Sequence, residues 1–144
     1  DPRTGLAGPA GPAQLVPNGG RTPMHYTVFN QDHHFPHPHA ACVQQLLDGR
    51  ADPNRRDCFG LTALHYAAFN GFAPVARALL ACPAVHVNAQ CGADGRGDTP
   101  LMKACFAGRA ELVEALLQER PSSSIEELDL SGADPNIQNR EGAT

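Results

Sequence analysis

Four histidines fall within seven residues in the run QDHHFPHPH, at His33, His34, His37 and His39, and imidazole nitrogen is a common ligand for zinc. Pro36 and Pro38 hold the run extended, so four near-neighbours do not readily converge on a tetrahedron, and no carboxylate or thiol is fixed opposite them. A solvated insertion loop is the favoured reading. A metal site and a pH-sensitive contact are the alternatives, and no metal or other cofactor is assigned. The five cysteines, Cys42, Cys58, Cys82, Cys91 and Cys105, form an odd set without C-x-x-C spacing. That is the pattern of reduced thiols and points to a cytoplasmic or nuclear protein. The run GADGRG at Gly92–Gly97 is no phosphate loop, because it lacks the Lys-Ser/Thr ending and a strand-to-helix setting. No nucleophile, base and orienting group stand in a recognisable arrangement, so no catalytic residue is assigned and no enzyme activity is expected.

The elements that must carry these residues are clearest in GLTALHYAAFNGFAPVARALLACPAVHVN, Gly60 to Asn88. Thr62 can offer its hydroxyl to the unpaired amides of a first helical turn, and Ala63, Leu64, Ala67 and Ala68 make a narrow apolar face. Gly71 can take the left-handed backbone that ends a helix and reverses the chain. In the helix after it Pro74 is tolerable in the first turn, while Val75, Ala78, Leu79 and Leu80 form a buried stripe. Two short helices cannot bury that much apolar surface alone. They need stacked copies on either side.

The copies are present as TPMHYTVFNQ from Thr22, TALHYAAFNG from Thr62 and TPLMKACFAG from Thr99, with a fourth start at Thr144. The spacings are 40, 37 and 45 residues, and candidate insertions of 7, 4 and 12 residues leave 33 each time. The insertions lie at His33 to His39, around Pro83 and Cys91 to Gly95, and from Arg120 to Ser131, all in connections. With its TPLH-like starts, its G-x-x-x-[VL]-x-x-x-L-L second helices and the closing ADPN at Ala51 to Asn54 and Ala133 to Asn136, the chain resembles the ankyrin repeat family over about residues 18–144. Gln31 replaces the hinge glycine of the first repeat, Thr27 and Val28 replace its small pair, and PAVHVN replaces the usual closing run in the second.

The resemblance implies an all-α solenoid with short β-hairpin fingers. Residues 1–17, rich in Pro, Gly and Ala, read as a linker, or as a cap if Leu15 and Val16 fold back. Repeats follow at about 18–57, 58–94 and 95–139, with the start of a fourth at 140–144. Fingers are expected at Asn54 to Thr62 and Asn88 to Thr99. Ser123 and Ser124, each three residues before a glutamate, predict an extra helical turn over Ile125 to Leu128.

The resemblance also implies a concave surface on the inner helices, formed by Tyr26, Phe29 and Asn30, Tyr66, Phe69 and Asn70, and Lys103 and Phe106. Phe29, Phe69 and Phe106 share one position and would form a ladder; either the rings face a partner or they lie flat between helices. With Arg55, Arg56 and Phe59 on a finger, these are the candidate contacts for another protein, possibly through an extended segment. His25 and His65 are implied to make a structural hydrogen bond within the repeat. Asn54, Asn88 and Asn136, at the closing position, are possible sites of asparaginyl hydroxylation on the same ground.

Composition bounds the function. The chain has 144 residues and a net charge of −4, with the acidic excess after residue 60, which argues against nucleic acid as the main partner. No apolar run reaches membrane-spanning length. The expectation is a monomeric, non-enzymatic protein-interaction module cut from a larger scaffold or adaptor. The alternative is a regulatory or targeting section of a multidomain enzyme.

Overall fold

The computed structural model describes residues 17–29, 39–92, 96–118 and 132–142. Its helices are α1 (Pro23–Tyr26), α2 (His39–Asp48), α3 (Ala63–Asn70), α4 (Ala73–Leu80), α5 (Pro100–Phe106) and α6 (Ala110–Leu117). Odd-numbered helices pack on the next odd one, even-numbered helices on the next even one, and each odd helix packs on the even helix that follows. The result is a two-layer helical stack. Apolar faces of three helix pairs share one core, which no single pair could enclose.

The middle pair carries the largest share of that core. Ala63, Leu64, Ala67 and Ala68 of α3 and Ala73, Val75, Ala76, Leu79 and Leu80 of α4 are buried. By contrast α2 buries only Val43, and α6 only Leu112 and Leu116. Leu117, at the end of α6, is 44% exposed. The small residues of α3 matter because helices pack at about 8–10 Å only where their contacting side chains are short.

The hinges form as their residue types require. Gly71 ends α3 at φ 80°, with its N–H on the Ala67 carbonyl. Gly108 stands at the same point before α6 at φ 67°. The first repeat differs. Its inner helix is only four residues long, and the chain continues through Thr27, Val28 and Phe29 by bonds from each N–H to the carbonyl three residues back. The Thr27 hydroxyl donates to the Met24 carbonyl at 2.7 Å and so competes for a helical acceptor. Where the other repeats use small residues, β-branched side chains crowd this turn.

The described parts of the connections are turns rather than strands. The first is closed by Asp57 N–H on the Leu61 carbonyl at 3.0 Å, and the second by Cys91 N–H on the Asp98 carbonyl at 2.9 Å. The strand pairing expected of β-hairpin fingers is thus reduced to single backbone bonds, with side chains supplying the rest. The linker before Pro17, the extra turn at Ile125 to Leu128 and His33, His34 and His37 lie outside the described residues. His39, assigned by sequence to the insertion loop, instead opens α2 and sets its ring edge-on to Phe72 at 6.2 Å.

A candidate protein-binding surface

Three sets of side chains lock successive repeats and so fix where the exposed groups point. The first is the histidine pair. Thr62 N–H donates to His65 Nδ1 at 3.2 Å, and His65 Nε2 lies 3.1 Å from the Asp98 carbonyl oxygen. A backbone N–H can only donate and a carbonyl can only accept, so Nδ1 is bare and Nε2 carries the proton. His25 repeats the arrangement, with Thr22 N–H at 3.0 Å from Nδ1 and the Leu61 carbonyl at 2.9 Å from Nε2. Each imidazole does what glutamate does in a capping box, and it also reaches the residue before the next helix. The structural role expected of these histidines therefore extends between repeats. Met102 cannot do this, and there the Thr99 hydroxyl accepts from Met102 N–H at 3.3 Å. Burial pushes the pKa of His65 down to about 4, since a charged imidazole would lose its water there.

The second set is the closing asparagines. Asn54 donates from Nδ2 to the Ala84 carbonyl at 2.7 Å and accepts at Oδ1 from His86 N–H at 2.7 Å. Asn88 accepts from Asp134 N–H at 2.8 Å. Two of the three asparagines implied as hydroxylation sites thus hold the stack together, and modification there has to break these bonds first. Asn136 uses its own N–H on Asp134 Oδ1 at 2.8 Å.

The third set lies two residues further on. Arg56 Nη1 donates to the Gln90 carbonyl at 2.5 Å, and Gln90 Nε2 donates to the Gln138 carbonyl at 3.0 Å. Arg56, Gln90 and Gln138 occupy one position, and the side chains of the first two each grip the main chain of the next copy.

Inside the first connection, Asp57 is the organising residue. Its carboxylate accepts from Phe59 N–H at 2.9 Å, Leu61 N–H at 3.0 Å and the Tyr66 hydroxyl at 2.5 Å. Burial, followed by the bond to Asp57, pushes the Tyr66 pKa up to about 12. Asn139 holds the equivalent place in the last connection, where it accepts from Glu141 N–H at 3.0 Å and donates to Asp98 at 2.8 Å. Burial opposes the charge of Asp98, but Asn139 and the Lys103 ammonium, 3.1 Å away, hold its pKa below the ordinary carboxylate value.

On this frame the three phenylalanines separate. Phe29 is half-buried, packed on the core and 4.8 Å from the Tyr66 ring, with the Arg21 guanidinium 4.6 Å above its centre. Phe69 and Phe106 stack on each other at 6.5 Å and an interplanar angle of 17°, and remain 44% and 80% exposed. They border a groove of about 280 Å³ that Arg96, Asp98, Met102, Lys103 and Asn139 complete. Tyr26 and Phe59 are also exposed. Arg55 and Arg56 are exposed on the finger edge. Asn70 is drawn out of the surface by its bond to the Val28 carbonyl at 3.2 Å, whereas Asn30 lies outside the described residues.

Sequence reading missed Arg21, Arg96 and Asp98. Arg21 and Asp98 each directly precede a cap threonine, a position with no chemical signature of its own, and Arg96 sits in a glycine-rich run read as a bare finger.

The model for ankyrin repeats in three copies matches residues 36–139. Among curated proteins, the chain is 39% identical over 84 residues to "Protein fem-1 homolog A-like" of Mus musculus, covering 58% of this chain and 12% of that protein. It is 41% identical over 76 residues to "Protein fem-1 homolog A" of Bos taurus, covering 53% and 11%. A "Putative ankyrin repeat protein" of Rickettsia bellii is 29% identical over 97 residues, covering 67% of this chain and 92% of that one. The chain thus spans little more than a tenth of the fem-1 relatives. With the family model covering well over half of its residues and the helix pairs stacked as that family requires, the chain belongs to the ankyrin repeat family.

Proposed function

We propose that the chain is a non-enzymatic protein-interaction module of a larger scaffold or adaptor, and that it holds its partner on the finger edge and the concave inner-helix surface. The observation carrying this reading is the Phe69–Phe106 stack, two large apolar rings exposed on adjacent inner helices. Exposed aromatics on rigid elements bind at low ordering cost. The pins through His25, His65, Asn54 and Asn88 supply the rigidity. Tyr26, Phe59, Arg55, Arg56 and Lys103 complete the candidate contact set. The five cysteines, an odd set without C-x-x-C spacing, support a reducing compartment, cytoplasmic or nuclear.

The test is capture from cell extract with the wild-type chain and a Phe69→Ala/Phe106→Ala double variant. Proteins retained by the first and lost by the second, at unchanged melting temperature, support the reading. Identical retention by both removes it.

A further inference from the structure

A second groove, of about 370 Å³, opens beside the one under the phenylalanines, and Asn139 lines both. Arg56 and Arg140 line it together with Gln90, Gln138 and the small residues Gly92 and Gly97. Gly97 is at φ 70°, and a Cβ there would lie 3.3 Å from Arg140 Cγ, so the arginine stem packs where a side chain is missing. Gln90 spends its N–H groups on the Gly97 and Gln138 carbonyls and Asn139 donates to Asp98, so the donors that the lining offers a ligand are chiefly its two guanidinium groups.

Among the described residues, nearby carboxylates do little to neutralise it. Asp57 and Asp98 are buried and spent on the bonds described above. Asp52 and Asp134 close their own turns on Asn54 and Asn136. Glu141 approaches only Arg96, at 3.9 Å. Arg55, Arg56, Arg96 and Arg140 thus line the finger edge of a chain whose net charge is −4. Arg56 spends one guanidinium nitrogen on Gln90, and Arg140 has no side-chain bond among the described residues. Guanidinium groups recognise carboxylates through paired N–H donors.

We propose that this groove seats a carboxylate side chain of an extended acidic segment of the partner, with an apolar side chain of the same segment lying on Phe69 and Phe106. The proposal rests on the protein-interaction reading and names its ligand chemistry. The two grooves share Asn139 as a lining residue, so one short extended segment can reach both anchors.

The probe is a fluorescein-labelled ten-residue Gly/Ser peptide carrying one Leu and, three residues on, two adjacent Glu, read by fluorescence anisotropy. Saturable binding is expected, weakened at least tenfold when both Glu are replaced by Gln and abolished when they are replaced by Lys. Arg140→Gln is expected to weaken the Glu peptide about threefold to tenfold at unchanged melting temperature; Arg56→Gln is expected to weaken it similarly, its melting temperature being measured alongside because Arg56 also bonds the Gln90 carbonyl. Equal binding of Glu and Gln peptides overturns the proposal, as does preference for Lys, absence of saturable binding, or tighter binding of a ten-nucleotide thymidine oligomer. If Phe69→Ala/Phe106→Ala weakens Glu and Gln peptides alike while the arginine variants change nothing, the carboxylate seat falls and the interaction reading stands. If no peptide binds and capture from extract is also indifferent to the two phenylalanines, both fall.

Discussion

His65 Nε2 lies 3.1 Å from the carbonyl oxygen of Asp98, 33 residues away, so one imidazole joins the start of its own helix to the residue preceding the next. The Nε2 proton that makes this bond is present in either charge state, but the bond from Thr62 N–H to Nδ1 needs the neutral ring, because only a bare Nδ1 can accept. In the unfolded chain the ring takes a proton below its ordinary pKa of 6.5, whereas the folded ring does so only near 4. Stability is therefore fully present above pH 6.5 and is lost as pH falls from 6.5 to 4, by about 3 kcal/mol. Asp98, whose pKa is lowered, contributes stability that is present above the ordinary carboxylate value and lost only below it, so its window follows that of His65. Urea denaturation across pH 7.5 to 4 checks this, and a flat profile would sink it.

Asp57 carries three donors on one carboxylate, and Asn139 shows that an amide can serve at the same position. Asp57→Ala is expected to cost about 1–3 kcal/mol by stranding those donors, and Asp57→Asn distinctly less. The asparagine variant should also bring the Tyr66 titration down from about 12, since the bond to the carboxylate helps to raise it. Thermal melts rank the variants, and ultraviolet absorbance against pH follows the phenol.

Gly71 and Gly108 offer a matched pair. Both have left-handed backbone, but a Cβ at Gly71 would lie 2.9 Å from Arg109 Cδ, while nothing lies within 4 Å at Gly108. Gly108→Ala is expected to cost about 1 kcal/mol, the backbone penalty alone. Gly71→Ala is expected to cost more, about 2 kcal/mol, because Arg109 must also leave the Phe69 carbonyl. Equal costs in urea unfolding would show that Arg109 moves freely.

The phenylalanine ladder divides into structure and surface. Phe106→Ala should change stability by less than about 0.5 kcal/mol, as an exposed substitution does. Phe29→Ala removes a ring packed on the core and under Arg21, and should cost about 2 kcal/mol or more. Comparable losses in the two variants, measured by calorimetry, would contradict this division.

The repeat architecture was legible because it is written in local chemistry. A cap threonine, a hinge glycine and an apolar stripe return at one period, and each acts within a few residues of itself, as Thr62, Gly71 and Leu79 do. What could not be read is which side chains spend their chemistry on the neighbouring repeat. Asn54, Asn70, Asn88 and Arg56 are ordinary polar residues in sequence, and in the fold their partners lie 30 or more residues away. Phe29, Phe69 and Phe106 are one residue type at one position. Arg21 and Tyr66 cover the first ring, while the other two are left to solvent and to each other. Local periodicity can place a side chain on a face, but its exposure depends on what the next repeat puts against it, and that relation exists only once the helices are stacked.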